Sequence, residues 1–198
     1  NYTLGGDRKI KFSKTGAFIE FGVQPILPIK DTSLPEFERV SLDVWHYNDP
    51  IIQPAQQKSL ESTLKSTELV LLQTSTKNAT YLGKIKDRDI MSTQEGDGKT
   101  YYATIDSSYI LASQWQGYTL KDIVAIETSN GQRKLIQKQW KGNEMSASYD
   151  GNILVYYDEP QKKYFSYNTT TGKTIQIAKD IKTRLYDEDN DLPDDPNA

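Results

Sequence analysis

The chain has 198 residues, 36% of them apolar and 11% aromatic, with 13 tyrosines, one histidine, no cysteine and a formal net charge of −3. The missing cysteine excludes disulfides, thiolate catalysis and zinc–thiolate sites, and no run approaches the roughly 20 apolar residues that span a bilayer. Six acidic residues, Asp187, Glu188, Asp189, Asp191, Asp194 and Asp195, crowd the C-terminal end. The remainder is then close to neutral and lacks the basic footprint of a nucleic-acid binder.

The first residues, Asn1 to Lys11, have no apolar core of the signal-peptide kind. Phe12 to Phe21 then carry a small hydroxyl residue, a turn closed by Gly16 and an alternating apolar strand. Five of the eight prolines (Pro25, Pro28, Pro35, Pro50, Pro54) fall next. Proline fixes φ and removes a ladder donor, so residues 24 to about 62 are expected to leave the sheet, with 55–65 either a short helix or a lead-in to a strand. Glu68 to Thr74 and Thr80 to Leu82 make a hairpin about a turn near Lys77-Asn78. The loop Gln94 to Lys99 is expected to be exposed and mobile.

Thr104 to Ala112 read as a degraded version of the Gly16 turn and its strand. Asp122 to Thr128 and Lys134 to Ile136 flank Asn130-Gly131, the strongest short-range hairpin signal. Ala147 to Tyr157 repeat the first plan around Gly151, and Tyr164 to Tyr167 return through Thr174 to Ile177 about Thr171-Gly172. The interval between the two turns of a copy is 22 residues in the middle (Ser108 to Asn130) and 21 in the last (Gly151 to Gly172), but 62 in the first (Gly16 to Asn78). Corresponding turns recur 43 (Ser108 to Gly151) and 41 (Gly131 to Gly172) residues apart, a period that fits a four-stranded propeller blade.

The expected fold is therefore all-β: about three four-stranded antiparallel blades of a partial β-propeller, with a Pro-rich insertion in the first blade. The first blade spans about 9–87 with the insertion at about 24–62, the second about 100–141 and the third about 144–182. Residues 183–198 are read as an acidic linker to a missing next blade. The open edges of such an array present unpaired backbone groups, so edge-strand dimers of the fragment are expected.

The insertion carries Ser41-Leu42-Asp43-Val44-Trp45-His46-Tyr47-Asn48-Asp49-Pro50. With the Ser-x-x-Gly turns, Tyr156-Tyr157-Asp158 and the segment Tyr164 to Asn168, it resembles the N-terminal propeller of bacterial prolyl-oligopeptidase-family serine peptidases, in particular the exported dipeptidyl-aminopeptidase-like members of Bacteroidetes. The resemblance implies a periplasmic or exported protein whose propeller gates peptide substrates toward its own α/β-hydrolase catalytic domain. It implies no cofactor, and it casts Asp43, Trp45, His46 and Asp49 as contacts to substrate or to that domain. No Gly-x-Ser-x-Gly elbow is present. His46, the only histidine, precedes any place for the triad serine and acid, so the fragment itself is expected to be non-catalytic.

Other readings of these residues stand beside this one. A TolB-like propeller would bind a protein or peptide partner with no peptidase attached. A freestanding β enzyme would use His46 as a base oriented by Asp43 or Asp49; the blander role is a histidine fixing the insertion to the blade, with Trp45 a packing anchor. Asp187-x-Asp189-x-Asp191 imitates the opening of a calcium loop, but Leu192 and Ala198 stand where glycine and glutamate belong. The sequons at Asn78 and Asn168 fall at turns, where these residues are favoured anyway.

Overall fold

Alternating apolar and polar residues place successive side chains on opposite faces of a strand. Here they build three antiparallel meanders, which the computed structural model describes over residues 2–5, 8–27, 33–39, 42, 44–83 and 87–182. The first sheet contains β1 (Tyr2–Leu4), β2 (Lys11–Phe12), β3 (Phe18–Pro25), β4 (Glu68–Gln73) and β5 (Ala79–Gly83). The second runs β6 (Asp87–Met91), β7 (Thr100–Ile105), β8 (Lys121–Glu127) and β9 (Arg133–Trp140). The third runs β10 (Met145–Ala147), β11 (Ile153–Asp158), β12 (Lys163–Asn168) and β13 (Lys173–Gln176). Among the described residues two α-helices interrupt the order, α1 (Gln53–Lys65) between β3 and β4, and α2 (Ile110–Gln116) between β7 and β8.

In the first sheet the strand beside β3 is in two pieces. Lys11 and Phe12 pair with Glu20 and Ile19, while Tyr2 to Leu4 pair with Pro25 to Val23 farther along the same edge. Pro25 closes β3, a strand end where a missing N–H is tolerated. Among the described residues no strand follows until Glu68, so the Pro-rich insertion interrupts the first blade, and its later part is the helix α1.

Burial shows how the sheets stack. All four residues of Ile123 to Ile126 are buried, because the second sheet is covered on both faces. Tyr101, Ala103, Val124 and Ile126 pack against Leu69, Leu71 and Leu82 of the first sheet. Tyr102, Ile123, Ala125 and Trp140 pack against Leu154, Tyr156 and Tyr167 of the third. In β11 every second residue is buried instead, the pattern of a sheet covered more fully on one side.

The turns repeat to the atom. Ser13 exchanges backbone bonds with Gly16 and Phe18, and its Oγ accepts from the Phe18 N–H at 3.0 Å. Ser148 does the same with Gly151 and Ile153, at 2.9 Å for the side chain. The second hairpin of each sheet closes on a left-handed residue, Lys77, Gly131 or Gly172. A threonine begins each of these turns: the N–H groups of Thr74, Thr128 and Thr169 donate to Ala17, Lys99 and Asn152, tying the second hairpin back to the first.

The middle copy differs from its expected place. Tyr109 to Ala112 do not start a strand, for Ile110 onward is the helix α2, closed by Gly117 at φ +71°. The turn equivalent to Ser13 and Ser148 is at Thr93, whose carbonyl accepts from Gly96 and Gly98 and whose Oγ1 donates to Thr100 O at 2.7 Å. The second sheet thus starts at Asp87, and the loop Gln94 to Lys99, expected to be exposed, holds buried Gly96 and Gly98 next to buried Thr93 and against the neighbouring turns. The agreement between 22 and 21 residues came from the length of α2 and not from a matching hairpin. The acidic stretch and its calcium-loop imitation lie outside the described residues.

Three successive four-stranded antiparallel meanders, stacked face to face in chain order, are blades of a partial β-propeller.

Candidate functional site

In a four-stranded meander the first and third connections lie at one end and the second at the other. The first turns meet across blades: Lys14 N donates to Glu95 O at 3.1 Å and Gln94 N to Tyr149 O at 2.8 Å. The opposite end therefore collects the second connections, which are long in the first two blades and a four-residue turn, 159–162, in the third. The insertion and α2 touch there, with the Gln114 side-chain amide donating to the Pro50 carbonyl.

Within the insertion, His46 to Asp49 form a closed turn. Asp49 N donates to His46 O at 2.9 Å, and the Asp49 carboxylate accepts from the His46 backbone N–H at 2.8 Å. Asn48 N donates to His46 Nδ1 at 3.1 Å, so in the neutral ring the proton sits on Nε2. The imidazole lies 4.2 Å from the Tyr47 ring, centroid to centroid. Gln56 on α1 donates to Ile51 O at 2.6 Å and reaches Asp49, which fastens the turn to the helix. Pro54 sits in the first turn of α1, where its missing N–H breaks no helical bond. The carboxylate of Asp49 is thus committed to backbone and α1 and does not orient the imidazole. Asp43 lies outside the described residues.

His46 bonds within its own turn rather than to a blade, and Trp45, expected as a packing anchor, is 64% exposed. Tyr47 is 82% and Phe37 85% exposed, and α1 buries no residue. On α2, Trp115 is 83% exposed. The sequence reading missed Trp115, although Gly117 directly after Gln114-Trp115-Gln116 is a helix C-terminal signal. This end is bounded by Tyr118, whose ring carries Lys141 Nζ at 4.5 Å, and Lys141 in turn pairs with Glu159 of the third blade at 2.7 Å. Beneath α2, the Tyr109 hydroxyl donates to Asp122 at 2.7 Å, and this bond with burial pushes the phenol up to about 12. Among the described residues no group of His, Asp and Glu is placed to hold a metal ion, and no helix is long and apolar enough to cross a membrane.

No family model matches the chain, and no curated protein does. Solved structures similar to it include TolB from Acinetobacter baumannii, at TM-score 0.36 and 15% identity over 84% of this chain and 31% of that one. A proposed 6-phosphogluconolactonase from Bacteroides uniformis ATCC 8492 aligns at TM-score 0.34 and 13% identity over 85% of this chain and 52% of the other. Another from Bacteroides fragilis NCTC 9343 aligns at 0.33 and 11% over 90% and 58%. The chain spans less than two thirds of the length of each.

Proposed function

We propose that the chain is a non-catalytic propeller segment that binds a peptide or protein partner at the blade end carrying the insertion and α2. The exposed aromatic set Trp45, Tyr47 and Trp115 carries this reading. Large aromatic side chains left in water on two connections that touch each other are what binding surfaces use, since they supply contact area at low entropic cost. The partner class follows the TolB-like reading of the sequence, a propeller that engages a protein or peptide. Selection of short peptides on the 198-residue chain tests it. Enriched peptides should bind the chain and lose about tenfold or more in affinity to Trp45→Ala/Trp115→Ala. Peptides that bind that variant undiminished would place the surface elsewhere.

A second reading is favoured by the Trp45-His46 segment and its resemblance to prolyl-oligopeptidase-family propellers. In it the same end faces a catalytic domain, the parent is an exported serine exopeptidase, and Asp43, Trp45, His46 and Asp49 meet that domain or the substrate. The two readings share a prediction, that this chain alone does not turn over chromogenic dipeptide substrates. Turnover blocked by a serine-directed inhibitor would sink both.

A further inference from the structure

The split strand beside β3 leaves a cavity of about 310 Å³ lined by Arg8, Lys9, Lys11, Glu20, Phe21 and Leu69. Among the described residues, three cations and one carboxylate line it, in a protein whose formal net charge is −3. The carboxylate is engaged already, because Glu20 Oε1 accepts from the Tyr101 hydroxyl at 2.6 Å. Arg8, Lys9 and Lys11 are exposed, and none has a side-chain hydrogen bond or ion pair among the described residues. Lys11 stands directly opposite Glu20 across the β2–β3 ladder, so one cation balances the carboxylate and the described lining keeps a surplus of positive charge. Leu69, on the same face of the sheet as Glu20, and the aliphatic stems of the three basic side chains supply the apolar part of the lining.

We propose that this cavity binds a small organic anion, a carboxylate or phosphate group attached to a compact apolar body. Arg8, Lys9 and Lys11 supply the charge, and their aliphatic stems with the edge of Leu69 receive the body. A guanidinium offers paired donors to a planar carboxylate or a phosphate, and an ammonium serves either as a point charge. The site lies at the edge of the first sheet, formed by residues separate from the aromatic surface, so it stands or falls independently of the partner proposed there.

Titration of the 198-residue chain with N-acetyl-leucine, N-acetyl-leucinamide, butyl phosphate and inorganic phosphate, followed by amide chemical shifts, tests the assignment. N-acetyl-leucine or butyl phosphate should give saturable shifts centred on Lys11 to Gly22, and the stronger of the two identifies the preferred anion. The uncharged amide and inorganic phosphate should each bind about tenfold more weakly, one lacking the charge and the other the body. Arg8→Gln/Lys11→Gln should weaken binding about tenfold, with Lys77→Gln/Lys173→Gln unchanged. Lys9→Gln alone should produce a smaller loss and guards against a folding defect in the double variant. Equal binding of acid and amide, undiminished binding by the double variant, or shifts that never saturate would overturn the proposal.

Discussion

The hydroxyl of Tyr102 donates to the backbone carbonyl of Gly151 at 2.8 Å, joining the second blade to the first turn of the third. Its neighbour Tyr101 faces the other way and bonds Glu20 of the first blade and Gly96 of its own. Both rings are fully buried, and burial raises both phenols well above the ordinary tyrosine range. Two adjacent residues thus reach both neighbouring blades, because consecutive strand residues point to opposite faces.

Removing the Tyr102 hydroxyl leaves a buried carbonyl without its donor. Tyr102→Phe should cost about 1–3 kcal/mol, read from the urea midpoint with an unchanged slope. A loss within error would mean that water reaches the Gly151 carbonyl and that the bond does not join the blades.

Gly131 and Gly16 share a left-handed φ, +71° and +75°, but differ in surroundings. A Cβ on Gly131 would lie 2.5 Å from the Tyr81 carbonyl of the first blade, whereas one on Gly16 would meet nothing within 4 Å. Gly16→Ala should cost roughly 1–2 kcal/mol for the left-handed backbone alone. Gly131→Ala should cost clearly more, since backbone must move at the contact between blades. Equal losses in paired denaturation curves would remove the steric part of this account.

These details mark how far the sequence could be read. The Gly16 and Gly151 turns were legible because serine, glycine and an alternating strand recur at fixed offsets. The middle blade was misplaced because Tyr109 to Ala112 form a short apolar run that fits a strand or a helix equally. Its true turn uses Thr93 in place of serine and a longer loop. The repeated threonine at the start of each second hairpin (Thr74, Thr128, Thr169) was present in the sequence, but its use is tertiary and only the bonds reveal it. Trp45 was legible as special; that it faces water depends on how the insertion lies, which no local pattern encodes. The basic cavity needed the register of β2 against β3 to bring Lys11 opposite Glu20 and beside Arg8.

The Tyr109–Asp122 bond makes stability depend on alkaline pH. The folded phenol is pushed up to about 12 while an unfolded tyrosine ionises near about 10. The folded state therefore holds the proton more tightly, its contribution is complete below the unfolded value, and it is lost as pH rises from about 10 toward 12. Tyr101 and Tyr102 act with the same sign. Urea midpoints should fall across that window, and the fall should be shallower in Tyr109→Phe. An identical pH profile in the variant would show that the bond to Asp122 does not hold the proton.

The chain's three tryptophans report on the two environments that matter here. Trp140 is 1% exposed, wedged between the second and third blades with its Nε1 donating to Tyr157 O at 2.6 Å. Trp45 and Trp115 are open to water at the opposite extreme. Iodide should therefore quench two of three emitters, leaving a blue-shifted residue that persists in Trp45→Ala/Trp115→Ala and disappears in Trp140→Phe. Truncating Trp140 to alanine should cost about 3–5 kcal/mol, because it opens a cavity in the contact between blades and strips the Tyr157 carbonyl of its donor. A quenchable fraction near one third would mean that Trp45 or Trp115 is covered in solution. In that case the aromatic surface is already occupied within the chain or by a second copy, and peptide selection should fail for the same reason.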